Sequence, residues 1–142
     1  MKVGDLISVL DPGIYEVRIK DLDPTGKTKA GDPMVSLQME VVNNEDWEGA
    51  MVWDNLPVNA KAAWKWIQVW VALGGSTEDE IEGLQDLADR CCVELPDKTI
   101  YIKVKKDTYE GKTRPKVEEY LAPGVGKSLM GAQERAKNGV PF

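Results

Sequence analysis

The segment from Lys98 to Tyr120, KTIYIKVKKDTYEGKTRPKVEEY, most narrowly limits how this chain can fold. Its first half alternates apolar residues with basic or aromatic ones: Ile100, Ile102 and Val104 against Tyr101, Lys103 and Lys105. A period of two is typical of a β-strand with one buried face. A Gly-containing turn at residues 107–112 precedes a second such stretch, so the segment predicts a β-hairpin with a cationic, aromatic outer face.

The predicted hairpin is basic, whereas the chain as a whole is acidic. Residues 98–116 contain seven basic and two acidic residues, a net charge of +5, whereas the whole 142-residue chain carries -6. The segment before it, residues 76–97, contains eight acidic residues and one arginine, a net charge of -7. Phosphate backbones repel an acidic protein, but charge segregated in this way allows a positive groove on an acidic chain.

Three stretches upstream also alternate and are predicted to be strands, at residues 14–22, 34–42 and about 50–56. In the first of them Arg18 and Lys20 alternate with apolar residues, so its polar face again carries bases. The connection DPTGKTKAGD, residues 23–32, contains Pro and two Gly and is predicted to be a loop.

Residues 60–73 change to a helical period. This stretch lacks Gly and Pro, Asn59 is a suitable N-cap, and Gly74 and Gly75 follow it. Four apolar residues share one predicted helix face and are expected to face the core: Ala63, Trp66, Ile67 and Trp70.

The order of elements predicts the fold class. Three strands, a helical segment and a closing hairpin predict a mainly β protein with one main helix, an OB-fold. This is a five-stranded partly open barrel, here with an α-helical insertion between strands three and four. A five-stranded sheet with a packed helix in another topology is the alternative. We expect residues 1–121 to form this domain and residues 122–142 a flexible or weakly helical C-terminal tail.

The composition argues against several classes of protein. The chain has no histidine, and its two cysteines, Cys91 and Cys92, are adjacent, which is not a zinc spacing. We therefore expect no metal site, no cofactor and no enzymatic activity. No apolar run approaches the roughly 20 residues of a membrane-spanning helix, and the first residues do not resemble a signal peptide. We expect a cytoplasmic protein without a membrane partner.

Three stretches in combination resemble a known family: GIYEVRIKDLDPTGKTKAGDPMVSLQMEVV, EDWEGAMVWDNLPVNAKAAWKWIQVWVALG and YIKVKKDTYEGKTRPKVEEYLAP. They are similar to a phage-encoded family of small single-stranded-DNA-binding proteins, long catalogued as a domain of unknown function, over residues 10–121. The resemblance implies an OB-fold and a role in phage DNA replication or recombination, in the host cytoplasm. Bacterial single-stranded-DNA-binding proteins end in an acidic run before Pro-Phe, whereas Lys137, Asn138 and Gly139 stand near the end of this chain.

Proteins that bind single strands combine bases along a groove with flat side chains on which nucleobases stack. The candidate phosphate-binding residues are Arg18, Lys20, Lys27, Lys29, Lys103, Lys105, Lys112, Arg114 and Lys116, and the candidate stacking residues are Trp47, Trp53, Tyr101 and Tyr109. The direction of Trp53 stays open, because both faces of its strand are mixed. The simpler interpretation is that the bases only solvate a sheet face and protect its edge.

These features predict a protein that binds single-stranded DNA without sequence preference. The main alternative is a protein-interaction module whose basic hairpin docks an acidic partner. In that alternative, and in any contact with replication or recombination proteins, the binding residues would be Val140, Pro141 and Phe142. A small nuclease is a weaker alternative, given the absence of histidine. A homo-oligomer is compatible with all three.

Overall fold

The structure, a computed structural model, describes residues 10–137. Five strands are present: β1 (Gly13–Lys27), β2 (Pro33–Val42), β3 (Met51–Pro57), β4 (Thr99–Tyr109) and β5 (Lys112–Leu121). A 3-10 turn, Ala60–Ala62, precedes the first of three helices: α1 (Ala63–Ala72), α2 (Leu84–Glu94) and α3 (Pro123–Lys137). The prediction of a mainly β protein is confirmed. None of the helices in the described part is long and apolar enough to cross a membrane.

The strands form one antiparallel sheet in the order β3-β2-β1-β4-β5. The central strand β1 is longer than predicted, because residues 23–27 continue to pair with β2 rather than forming a loop. Its register with β2 shifts after Ile19 and again after Asp23. Bulges of this kind bend a strand and increase its twist. The sheet therefore curls into a five-stranded half-barrel, which is compatible with an OB-like fold.

The inner face of the half-barrel is the core. Alternating residues of every strand point inward, and the fully buried ones include Val17, Leu37, Val52 and Ile102. This confirms the apolar face predicted for the β4–β5 hairpin, since Ile100, Ile102 and Val104 are all buried. The opposite face of each strand is therefore the outer surface of the sheet.

Helix α1 packs against β5 and against α2. Trp66 is fully buried, and its indole Nε1 donates a hydrogen bond of 2.9 Å to the carbonyl of Pro57. This bond sets the rotation of the helix, so the buried residues are Trp66, Val69 and Ala72. The prediction that Ile67 faces the core is wrong: it lies next to Trp66 along the chain, about 100° around the helix, and is 45% exposed. Asn59 caps this segment as predicted, accepting from the Ala62 amide.

Three side chains connect the two edge strands across the open side of the half-barrel. The Tyr120 hydroxyl of β5 donates a 2.6 Å hydrogen bond to the Asp54 carboxylate of β3, and the Lys65 ammonium of α1 lies 3.1 Å from the same carboxylate. The Asp54 and Lys65 side chains are only 10% and 13% exposed. Burial, together with the adjacent carboxylate, raises the pKa of Tyr120 well above its usual range. The phenol therefore stays protonated and remains a donor.

Residues 123–137, which the sequence assigns to a flexible or weakly helical tail, form the helix α3 on the outer face of β1 and β4. Gly126 is buried, and a side chain there would overlap Tyr101. The Gln133 side chain bonds both the amide and the carbonyl of Ile14, at 2.7 and 3.1 Å. The packing of α3 on the sheet depends on these two tertiary contacts, at Gly126 and at Gln133. The weak helical pattern of the sequence does not indicate either contact, so it did not predict that the segment packs on the sheet.

Candidate nucleic-acid interface

The outer face of β2 and β3 carries an exposed tryptophan. Trp53 lies between the buried Val52 and a partly buried Asp54, and it points outward with 61% of its surface exposed. Its partner across the ladder is Gln38 of β2, and the next outward position on β3 is Asn55. The sequence pattern leaves open whether Trp53 faces the core or the surface, and in the structure it faces the surface. An indole that is mostly exposed and has amide side chains beside it suits stacking on a flat aromatic ligand.

The β4–β5 hairpin leans toward this tryptophan and forms a cleft with β3. The cleft has a volume of about 610 Å³. Its lining residues are Met51, Trp53, Asp54, Asn55, Asp107, Arg114, Pro115 and Lys116. Three of the predicted site residues, one aromatic and two basic, therefore meet here although they are about 60 positions apart in the chain.

Two lysines stand opposite each other on the outer face of this hairpin. Lys105 and Lys116 are register partners in the β4–β5 ladder, and both are exposed. Neither forms an ion pair with any residue in the described part of the chain. Like charges directly opposite in a sheet are destabilising. A bound polyanion would relieve this repulsion, so the pair is a natural phosphate contact.

Other predicted bases share the outer face but are paired with carboxylates. Arg18 lies 3.4 Å from Glu40 and 3.3 Å from Asp97, and Lys20 lies 3.7 Å from Glu40. Lys103 lies 3.5 Å from Glu118. These acidic neighbours reduce the net charge that the three bases offer to a phosphate. Lys105, Lys112 and Lys116, which form no ion pair among the described residues, lie further along the hairpin, toward its turn.

The remaining predicted basic residues lie in or next to two connections, the one between β1 and β2 and the one between β4 and β5. Lys27 ends β1 and Lys29 lies in the turn after it, while Lys112 begins β5. All three are exposed, and within residues 10–137 none of them forms an ion pair. The hairpin turn itself is Glu110-Gly111, both with positive φ, at 52° and 77°. This two-residue turn fixes the register that brings Lys105 opposite Lys116.

Two predicted stacking residues lie elsewhere. Tyr101 is half-buried beneath α3, against Gly126. Trp47 is half-buried in a second cleft, whose lining includes Asp11 and four other charged residues, three of them acidic. Burial and the carboxylates of Asp11 and Asp46 raise the pKa of Tyr15 in this cleft to about 12. The four carboxylates of this lining outnumber its one ammonium group and disfavour phosphate, and none of the predicted basic residues lies there.

The last predicted residues cannot be placed. The side chain of Tyr109 and the tail residues Val140, Pro141 and Phe142 lie outside the described part of the structure. Among the residues that sequence reasoning missed are Asn55, which lines the cleft, and Gln38, the ladder partner of Trp53. Their signal is the same alternation that predicts the strands, since both are polar residues at outward positions beside an exposed aromatic.

Metal-ligand clusters and cysteines are the groups in the described residues that bear on covalent chemistry. No group of three or more acidic or cysteine side chains between residues 10 and 137 is arranged to hold a metal ion. Cys91 is fully buried, and burial raises the pKa of its thiol to about 12. At neutral pH this sulfur is a thiol rather than a nucleophilic thiolate.

Residues 2–128 match the family described as "Protein of unknown function (DUF669)". Because this match covers most of the chain, the protein belongs to that family. No curated protein matches the sequence.

Proposed function

We propose that this protein binds single-stranded DNA without sequence preference, in phage DNA replication or recombination. The observation that carries the proposal is the cleft between β3 and the β4–β5 hairpin, where the exposed Trp53 faces Arg114 and Lys116. The role in a phage follows from the family resemblance of the sequence. No catalytic step is part of the proposal.

Two physical terms would provide the affinity. Stacking of a nucleobase on Trp53 is worth about 1–3 kcal/mol. Counterions are released from each phosphate that Lys105, Lys116 or a neighbouring basic residue neutralises. A plot of the logarithm of the binding constant against the logarithm of salt concentration should therefore have a slope of about -0.7 per phosphate contact. Neither stacking nor phosphate contact distinguishes one nucleobase from another, so both allow binding without sequence preference.

The proposed site favours a single strand over a duplex. Stacking on Trp53 requires a nucleobase with an accessible face, and in a duplex the neighbouring base pairs cover both faces. The amide side chains of Gln38 and Asn55 beside the indole can bond base edges that lack a Watson–Crick partner. Duplex DNA would retain only the phosphate contacts.

The fold we propose is an OB-fold with the helices α1 and α2 as the insertion between β3 and β4. The strand order and the side-chain link from Asp54 to Tyr120 across the open side support it. OB-folds bind oligonucleotides on the β2–β3 face, flanked by the β1–β2 and β4–β5 loops. In this chain Lys29 lies in the first of these loops, and Lys27 and Lys112 adjoin the loops as the last residue of β1 and the first residue of β5.

Replacing Trp53 with alanine tests the stacking surface. We expect Trp53→Ala to weaken binding of a thymine oligonucleotide about 10-fold or more, the loss of one stacked base. The measurement is fluorescence anisotropy of a labelled oligonucleotide, with intrinsic tryptophan quenching as the second signal. Trp64→Ala is the matched control, because Trp64 is 51% exposed but lies on α1, away from the cleft.

Trp64→Ala should bind like the wild-type protein and retain the quenching. Equal affinity of Trp53→Ala and the wild-type protein would remove Trp53 from the interface. If binding of an acidic peptide, rather than an oligonucleotide, depended on the basic hairpin, the protein-interaction module would replace the present proposal.

A further inference from the structure

Helix α3 covers one end of a row of predicted DNA-binding residues on β4. Three of these residues occupy successive outward positions of the strand: Tyr101, Lys103 and Lys105. Lys105 faces Lys116, which lines the cleft beside Trp53, so the row leads from the cleft to Tyr101. There it ends beneath α3, because Gly126 lies against the tyrosine side chain. A candidate stacking residue is therefore in line with the proposed site but partly covered.

The helix that covers Tyr101 buries little of its own surface. Of its fifteen residues, all within the described part of the chain, Gly126 alone is buried. Its sequence contains three glycines, at positions 124, 126 and 131. Glycine makes a helix less stable than alanine does, because it loses more backbone freedom on folding. Elements with few buried apolar contacts open at a lower free energy than core strands, so α3 can leave the sheet while the half-barrel stays folded.

Polar contacts attach the C-terminal half of α3 to the sheet side. The Gln133 side chain bonds the amide and the carbonyl of Ile14, and the Lys137 ammonium pairs with the Asp46 carboxylate. Both members of this ion pair are more than half exposed, so it contributes little to stability and weakens with salt. Water can replace the two bonds of Gln133 when the helix lifts away. These attachments are therefore reversible.

We infer that α3 is a displaceable cover of the DNA-binding surface. It closes over Tyr101 in the free protein and lifts when a single strand extends from the Trp53 cleft along β4, so that one more nucleobase stacks on Tyr101. The inference rests on the proposed function and adds a regulation of the same site. The affinity for a long strand is reduced by the fraction of free molecules in which α3 is closed.

A matched pair of glycine substitutions tests the cover. An alanine Cβ at position 126 would overlap the Cβ and Cγ of Tyr101, atoms close to the backbone that cannot turn away, so Gly126→Ala forces α3 off the tyrosine. The same Cβ at position 124 meets no atom of the described residues within 4 Å, so Gly124→Ala leaves the helix in place. The probe is a labelled thymine oligonucleotide of about 16 nucleotides, the upper end of the site size of one OB-fold.

Fluorescence anisotropy should show that Gly126→Ala binds this oligonucleotide about 5-fold or more tightly than the wild-type protein, because the variant no longer has to open. Gly124→Ala should bind like the wild-type protein. Adding Tyr101→Leu to Gly126→Ala should abolish the gain, since leucine keeps an apolar side chain at this position but has no ring for stacking.

Hydrogen exchange of the wild-type protein measures the opening without any substitution. On saturation with the oligonucleotide, the amides of residues 123–137 should exchange faster, while those of β1 and β4 should not. Three results would overturn the cover: equal affinity of Gly126→Ala and wild type, a gain that survives Tyr101→Leu, or unchanged or slower exchange in α3. If Trp53→Ala still weakened binding, the proposed function would stand without it. Binding of the oligonucleotide by neither the wild-type protein nor Gly126→Ala would overturn both.

Discussion

Replacing Lys105 and Lys116 together with glutamate is expected to weaken single-stranded DNA binding by about 100-fold or more at moderate salt. The two lysines are adjacent across the hairpin, and neither is compensated by a carboxylate in the described part of the chain. The change removes two proposed phosphate contacts and adds two repulsive charges, one of them at Lys116 in the lining of the cleft. Fluorescence anisotropy across a salt series measures both the affinity and its salt dependence.

The control must carry the same change in net charge. Lys61→Glu with Lys127→Glu provides it, since both lysines are exposed on helical segments and neither lines the cleft beside Trp53. We expect that variant to lose only a small fraction of the affinity through the general field of the protein. Similar losses in the two double variants would mean that net charge, rather than the hairpin surface, determines binding.

Asp54→Ala is expected to lower the free energy of unfolding by about 3 kcal/mol, because it leaves a nearly buried Lys65 without its counter-charge. The Tyr120 hydroxyl loses its acceptor at the same time. These contacts join β3, β5 and α1, so their loss also loosens the open side of the half-barrel. Urea unfolding followed by circular dichroism gives the difference between variant and wild type.

Tyr120→Phe separates the two contributions. It removes the hydrogen bond but leaves the ion pair, so we expect a smaller loss of about 1–2 kcal/mol. Asp97→Asn is a suitable comparison, since the Asp97 side chain is 84% exposed, its ion pair with Arg18 lies on the surface, and asparagine tolerates the φ of 63° at this position. A stability of Asp54→Ala equal to that of Asp97→Asn would show that the three-residue link contributes nothing.

The strands were predictable because alternation in sequence reports directly on which face is buried. Val17, Leu37 and Ile102 are each in a period-two pattern, and each is buried. The rotation of α1 was not predictable from its pattern. Both Trp66 and Ile67 suit an apolar stripe, and the choice between them depends on a hydrogen bond to Pro57, a residue of another element.

The composition of the site was only partly predictable for a similar reason. A sequence shows that Lys103 and Lys105 share a strand face, but the cross-strand register decides that one pairs with Glu118 and the other faces Lys116. The position of Tyr101 depends on α3, which packs over it through Gly126. Local patterns identify outward residues, whereas tertiary contacts decide which of them stay accessible.

The measurement that tests the central claim most directly is a titration of intrinsic tryptophan fluorescence with a thymine oligonucleotide, repeated with duplex DNA and at several salt concentrations. We expect saturable quenching by the single strand, weaker at higher salt, and a much smaller response to the duplex. A response to neither nucleic acid at low salt, or equal responses to both, would contradict the proposal that the Trp53 cleft binds single-stranded DNA.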